Sequence, residues 1–379
     1  MPHMEKRSTP GELGTQPTRR AVLDHRVASL PISRSQRLPR LLTVLIASAS
    51  ALLLHIATPA QDKSSQLEKP ARNAAVLYRK AMKELLSTLP LEGSSDSIDL
   101  PEDAYDDAPD YAGKAWRDAV RKSAVALSLF GQATQVESCK FDRKTDEITT
   151  ELMECVLRIM PLRQLFEAQA WQQLKTDPRT TAVTAMQLLR FANHCAGDDS
   201  LMGPAFGFTT EENAAKLLLA ALTQLGEQDG SQVDAKRLLK QFELHMAGRP
   251  TRASLADTAE REFELIFNGL KGIKENPAVK AASERAREIH GEMLAPLRQS
   301  KPVSVKALKA HYKKHFDRLR KLTKAKKMST VLENGSGETL AAVLLMLAAH
   351  DMSGVLEPFL AAKVALVPCL VELTELAGK

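Results

Sequence analysis

From residue 72 onward, apolar residues return at steps of three and four, the spacing that keeps them on one face of an α-helix. Over residues 72–89 the stripe is Leu77, Ala81, Leu85 and Leu89, with Val76, Tyr78, Met82 and Leu86 beside it, and Pro90 closes it. Residues 114–135 predict a second helix, with Trp116, Val120, Ala124, Leu127 and Phe130 inward, or Val125 and Leu129 in the other register. A third helix spans residues 147–175. Pro161 predicts a kink or a break inside it, because proline lacks the amide proton and crowds the preceding turn. Asp177-Pro178 supplies an N-cap and a first-turn proline for a fourth helix, which reaches Cys195 and ends at Gly197. That helix is expected to bury Val183, Met186 or Leu188, Leu189 and Ala192.

Thr209-x-x-Glu212 has the form of a capping box for a helix that ends near Leu225, although residues 201–208 are themselves compatible with helix. Further helices are predicted over residues 233–246, after Ser254 (Leu255, Ala259, Phe263, Ile266, Leu270), and from Asn276-Pro277 to Leu297. Residues 337–378 form two apolar helices, the second interrupted by Glu357, Lys363 and Pro368, and predict a buried hairpin that closes the core. No stretch beyond residue 61 alternates as a strand does, and no fixed repeat period is present. The pattern therefore predicts an all-α fold, an irregular helical bundle or helix-hairpin array of about nine to eleven helices in a single domain, residues 71–379.

Upstream the pattern changes. Residues 1–40 are rich in Pro, Ser, Arg and Gly without periodicity and predict a disordered basic leader. Residues 41–58 then run 18 positions without a charge, just long enough to cross a bilayer as a helix. Arg34, Arg37 and Arg40 precede the run, which favours an N-terminus inside and a C-terminus outside. Thr58-Pro59-Ala60 offers small residues where a signal peptidase cuts. Two readings stay open: a single-pass anchor through residues 41–58 with an exported body, or a signal peptide cleaved after Ala60 that leaves a secreted or periplasmic protein. Residues 61–70 are a polar linker.

Charge changes the picture only once it is divided. The whole chain carries +6, but residues 1–60 hold 8 Lys and Arg against 3 Asp and Glu, a net of +5, which leaves +1 for the body. The high pI is no argument for nucleic-acid binding, and no specific nucleic acid is expected as a partner. Aromatic content of 4% points to a core of Leu, Ala, Val and Met, which suits packed helices. The four cysteines, Cys139, Cys155, Cys195 and Cys369, form no CxxC pair, so they are either thiols on helix faces or, in an exported body, disulfide partners.

Two charged stretches stand out. Residues 91–113 hold eight acids and no Lys or Arg, broken by Pro and Gly, and fit no EF-hand spacing; a solvated loop is expected. Residues 301–327 hold 11 Lys and Arg against one acid, Asp317, around a heptad-like stripe of Val305, Leu308, Tyr312, His315, Leu319 and Leu322. Lys306, Lys309, Lys313, Lys314, Arg318, Arg320 and Lys321 are the candidate residues for binding an anionic polymer or an anionic lipid surface. The plain alternative is a helix that packs its stripe and leaves its lysines in water. His311 and His315 share one side of this helix, but the adjacent lysines disfavour a cation, so neither a metal nor a cofactor is expected.

There is no HExxH, no phosphate-binding GxxxxGK[ST] loop and no GxSxG. Arg287-Glu288-Ile289-His290-Gly291-Glu292 places carboxylates near a histidine, as amphipathic helices often do, and Glu211-Glu212 and Asp198-Asp199 look like capping pairs.

Asn73-Ala74-Ala75-Val76-Leu77-Tyr78, Cys139-Lys140-Phe141, Leu162-Arg163, Thr176-Asp177-Pro178 and Leu188 to His194 together resemble a group of helical envelope proteins of planctomycete-type bacteria. The resemblance covers residues 71–225 and weakens beyond. It implies an N-terminal apolar segment, a helical body and the envelope, and it carries no activity. The expected function is that of a non-enzymatic helical binding or scaffold protein of the bacterial cell envelope, with a protein or an anionic polymer as partner. An enzyme of hydrolase type with an unrecognised site is the alternative, and an anionic binder through residues 301–327 the second.

Overall fold

The computed structural model describes residues 73–89, 98, 100–106, 109–141, 151–198, 200–227, 232–269, 277–299, 303–323, 337–348 and 352–378. The leader, the apolar run at 41–58, the Ala60 site, the linker, residues 91–97 of the acidic stretch and the Cys155 side chain lie outside them.

The described residues are all-α, with twelve helices and no strand. In order they are α1 (Ala74–Thr88), α2 (Lys114–Lys122), α3 (Ala124–Gln135), α4 (Glu151–Gln173), α5 (Pro178–Ala196), α6 (Met202–Leu225), α7 (Gln232–Gly248), α8 (Arg252–Gly269), α9 (Pro277–Arg298), α10 (Val305–Thr323), α11 (Gly337–Ala348) and α12 (Ser353–Gly378). The described residues other than Tyr105 and Asp106 make one compact unit.

Caps explain several boundaries. The Asn73 side chain accepts the Ala75 amide at 3.1 Å and the Lys140 amide at 2.9 Å, and donates to the Lys140 carbonyl at 2.8 Å. One side chain thus starts α1 and ties it to a coil 67 residues away. Asp177 caps α5 through the Thr180 amide at 2.9 Å, with Pro178 at the first helical position as expected.

Several expectations are corrected. The helix over 114–135 is broken at Ser123, which lies outside helical geometry between α2 and α3. On either side of it Trp116, Leu127 and Phe130 are buried as expected, while Ala124 is exposed and Val125 is 58% exposed. Pro161 does not break α4, which runs continuously through it. Ile159 and residues 161–168 are all buried, and contact on every side outweighs the hydrogen bond that proline removes. Thr209 is no cap. Helix α6 starts at Met202, and the Thr209 hydroxyl donates to the Ala205 carbonyl inside it at 3.1 Å. Val183 is half-buried, while Met186 and Leu188 are both buried. Glu357, Lys363, Pro358 and Pro368 leave α12 unbroken over 26 residues.

The apolar side chains form two cores. The first joins α1–α7 around an aromatic cluster centred on Tyr78, whose ring lies 5.3 Å from Phe130, 5.1 Å from Phe191 and 6.2 Å from Phe141. The second gathers α8–α11, including Phe263, Met293, Leu308, Tyr312 and Leu345. Helices α6 and α12 serve both. Phe206 faces the first core and Phe208 the second; Leu366, Cys369 and Leu373 of α12 enter the first, and Leu356 and Phe359 the second. Each such fully buried side chain contributes roughly 1.5–3 kcal/mol.

Over Gly354–Gly378, α12 is long and apolar enough to cross a membrane by length and composition, a property that buried core helices share. It also exposes Val364, Val367 and Val371 on one side. Cys139, Cys195 and Cys369 carry thiols rather than disulfides. The Cys369 thiol donates to the Ala215 carbonyl at 3.2 Å, and burial pushes it up to about 12.

Candidate functional site

Helix α10 begins at Ser304, whose hydroxyl accepts the Ala307 amide at 3.2 Å. Leu308, Tyr312 and Leu319 anchor it in the second core, which fixes its rotation. At 100° per residue the cations then fall into separate ridges. Lys306, Lys313 and Arg320, seven apart, form one ridge, and Arg320 lies 3.9 Å from Asp317. Lys314, Arg318 and Lys321, three and four apart, form another, spread over roughly 10 Å of helix. Lys309 leaves the surface set, since its ammonium pairs with Glu357 of α12 at 2.6 Å.

The second ridge lines a groove. Between α9 and α10 lies an open groove of about 810 Å3, bordered by Glu292, His311, Lys314, His315, Asp317, Arg318, Lys321 and Leu322. No carboxylate among the described residues pairs with Lys314, Arg318 or Lys321. His311 and His315 stand one turn apart with ring centroids 4.6 Å apart. The Glu292 carbonyl lies 3.2 Å from His311 Nε2; a carbonyl only accepts, so Nε2 carries the proton. Burial, then the neighbouring His311, and then Lys314 and Arg318 hold the His315 pKa below its ordinary value, against an opposing pull from Glu292. Among the described residues no group of three or more His, Cys, Asp or Glu could hold a metal ion, so the two histidines have no third ligand there.

Sequence reasoning missed a second polar cluster. Glu211, read as part of a capping pair, is buried inside α6. It accepts His245 Nε2 at 2.6 Å and Arg249 Nε at 2.6 and 2.8 Å. Arg249 Nη2 also donates to the Phe359 carbonyl at 3.0 Å, and its guanidinium carbon lies 4.8 Å from the Phe359 ring and 5.6 Å from the Phe208 ring. Burial opposes ionisation of Glu211, but the hydrogen bonds from His245 and Arg249 prevail and hold its carboxyl below the usual range. With side chains 1–7% exposed, this cluster joins helices and gives no room to a substrate. The only sequence signal for it was a carboxylate within an otherwise apolar helical stripe.

The remaining motif residues are structural. Arg287 pairs with Glu264 at 2.6 Å, and His290 stacks on Phe263 with centroids 4.1 Å apart. In α4, Arg163 and Glu167 form a buried pair at 2.8 Å. Asp103, from the acidic stretch, accepts Trp116 Nε1 at 2.7 Å and the Asp110 amide at 2.6 Å, so its carboxylate is spent on holding Trp116.

Set against known protein families, curated proteins and solved structures, the chain has no significant match.

Proposed function

We propose that this chain is a non-enzymatic helical binding protein of the bacterial cell envelope, and that its ligand is an extended polyanion seated in the α9–α10 groove. The observation that carries this reading is the ridge of Lys314, Arg318 and Lys321 along the groove, residues that form no ion pair among the described residues although Glu292 and Asp317 border the same groove. The body as a whole, this ridge included, is close to neutral, at +1 after the leader is set aside, so the ridge is a local feature and not part of a general basic field. A concave groove suits a strand better than a flat lipid surface. The envelope assignment is supported by the apolar run at 41–58 with its arginine flank, and by the resemblance of residues 71–225 to planctomycete-type envelope proteins.

Two measurements test the reading. Replacing Lys314, Arg318 and Lys321 by Glu is expected to weaken binding of dextran sulfate about 100-fold or more, at roughly 1 kcal/mol for each cation removed. Unchanged binding by the folded triple variant would sink the groove as the site. Fractionation with N-terminal sequencing tests the address. A membrane-bound chain that retains residues 41–58 is an anchored protein, a soluble exported chain that begins at Gln61 is a cleaved one, and a cytoplasmic full-length chain refutes both.

A further inference from the structure

We propose that His311 and His315 make this groove proton-linked, so that it takes up protons as it takes up an anion and binds polyanions more tightly as pH falls. The proposal rests on the α9–α10 groove being the binding site. It goes further by assigning the histidines, which are unlike the permanently charged lysines, a regulatory part.

The geometry supplies the reason. His311 donates through Nε2 to the Glu292 carbonyl in either protonation state, so its change falls on Nδ1, an acceptor when neutral and a donor when protonated. His315 lies one turn further along the same groove wall. Two imidazolium rings with centroids 4.6 Å apart repel one another, and Lys314 and Arg318 add to that repulsion. In the empty groove His315 therefore resists charging. A sulfate or phosphate group between the rings and the ridge cancels the repulsion and gains two donors, so anion and proton favour each other.

The groups around the pair are few. From α9 comes Glu292, whose carboxylate favours the charged histidine. From α10 itself come Lys314, Asp317, Arg318 and Lys321. From α12 comes Glu357, already bound to Lys309. The described side chains of α11 include no titratable group. No other carboxylate among the described residues of the groove stands in place of an incoming anion. The linkage has a definite sign. Bound anion raises the His315 pKa from its depressed free-state position, so affinity rises as pH falls through the bound-state value and levels off below the free-state one.

The test is titration calorimetry of the full chain with dextran sulfate, whose own charge does not change over the window, at about pH 7.5 and about pH 5.5. The native chain is expected to bind roughly tenfold more tightly at the lower pH for a one-unit rise in one linked pKa, and to take up protons on binding, read from the heat difference between two buffers. His311→Gln with His315→Gln should keep the affinity seen at the higher pH and lose both the gain and the proton uptake. A double variant that retains the full pH gain overturns the proposal, and so does native binding that is equal at both pH values. Failure to bind at either pH refutes the groove reading itself, which separates the two failures. A thermal melt of the double variant, expected to match the native chain because both rings border open solvent, keeps a folding defect from passing as a result.

Discussion

Arg249, just past the end of α7, grips Glu211 of α6 with its Nε 2.6 and 2.8 Å from the two carboxylate oxygens, and with the same guanidinium reaches the Phe359 carbonyl of α12. The contact lies where the two cores meet, because Phe208 and Phe359, which flank the guanidinium, belong to the second core while α7 packs in the first. Replacing Arg249 by Met keeps most of the volume but takes the guanidinium from a buried carboxylate and leaves it to His245. The expected loss is about 3–5 kcal/mol, the usual result of removing one partner of a buried pair. Chemical denaturation measures it, and a change under about 1 kcal/mol would mean that the pair holds nothing together.

Acid should destabilise the first core before it reaches the carboxylates. Burial, more than any other cause, depresses His194 to about 4 from an ordinary 6.5, and the Tyr78 hydroxyl lies 2.9 Å from its Nδ1. Between those values the unfolded chain holds the extra proton, so stability is whole above about pH 6.5 and is lost as pH falls toward about 4, by roughly 3 kcal/mol at most. Glu211, with a depressed carboxyl, adds its loss only at lower pH still. Denaturant midpoints across this range should slope in the native chain and flatten in His194→Gln, and an equal slope in both would point to another group.

Helices α5 and α6 approach too closely for a side chain at Gly207. A Cβ there would sit 2.6 Å from the Ala192 carbonyl oxygen, a backbone atom that cannot rotate aside. Gly207→Ala is expected to cost about 1–3 kcal/mol despite alanine's better helix propensity. A melting temperature equal to or above that of the native chain would contradict this packing.

Salt should report how many groove cations meet the ligand. With three contacts to a flexible strand, log K for a phosphodiester polymer should fall with log salt at a slope of about −2. Lys321→Ala should reduce the slope by about 1, whereas Lys306→Ala, on the other ridge, should leave it unchanged. Equal effects at the two positions would show that the whole helix acts as a diffuse basic surface.

Some features of this protein were legible in the chain because they are local. The helical period, the cap at Asp177 and the proline at position 178 depend on residues within a turn of one another, and the structure has them where the spacing places them. The break at Ser123 and the continuity of α4 through Pro161 were not legible. Both are decided by what the flanking helices press against, and packing energy exceeds the propensity of a single residue. The quoted motif residues behave in the same way. Asn73, Tyr78, Phe141, Phe191 and His194 are scattered over 122 positions, and only the fold brings them to one cluster, where they prove to be cap and core.

The sequence by itself determined the class of fold, the near neutrality of the body and the existence of a cationic helix, since composition and period need no partner to be read. Tertiary structure decided which cations share a groove. Burial of Leu308, Tyr312 and Leu319 sets the rotation of α10, gives Lys309 to Glu357, and turns Lys314, Arg318 and Lys321 to one groove beside two histidines. It also decided that Glu211 is the hub of a buried ion cluster, because its partners at 245 and 249 lie on and just past another helix, at a distance along the chain that no local pattern encodes.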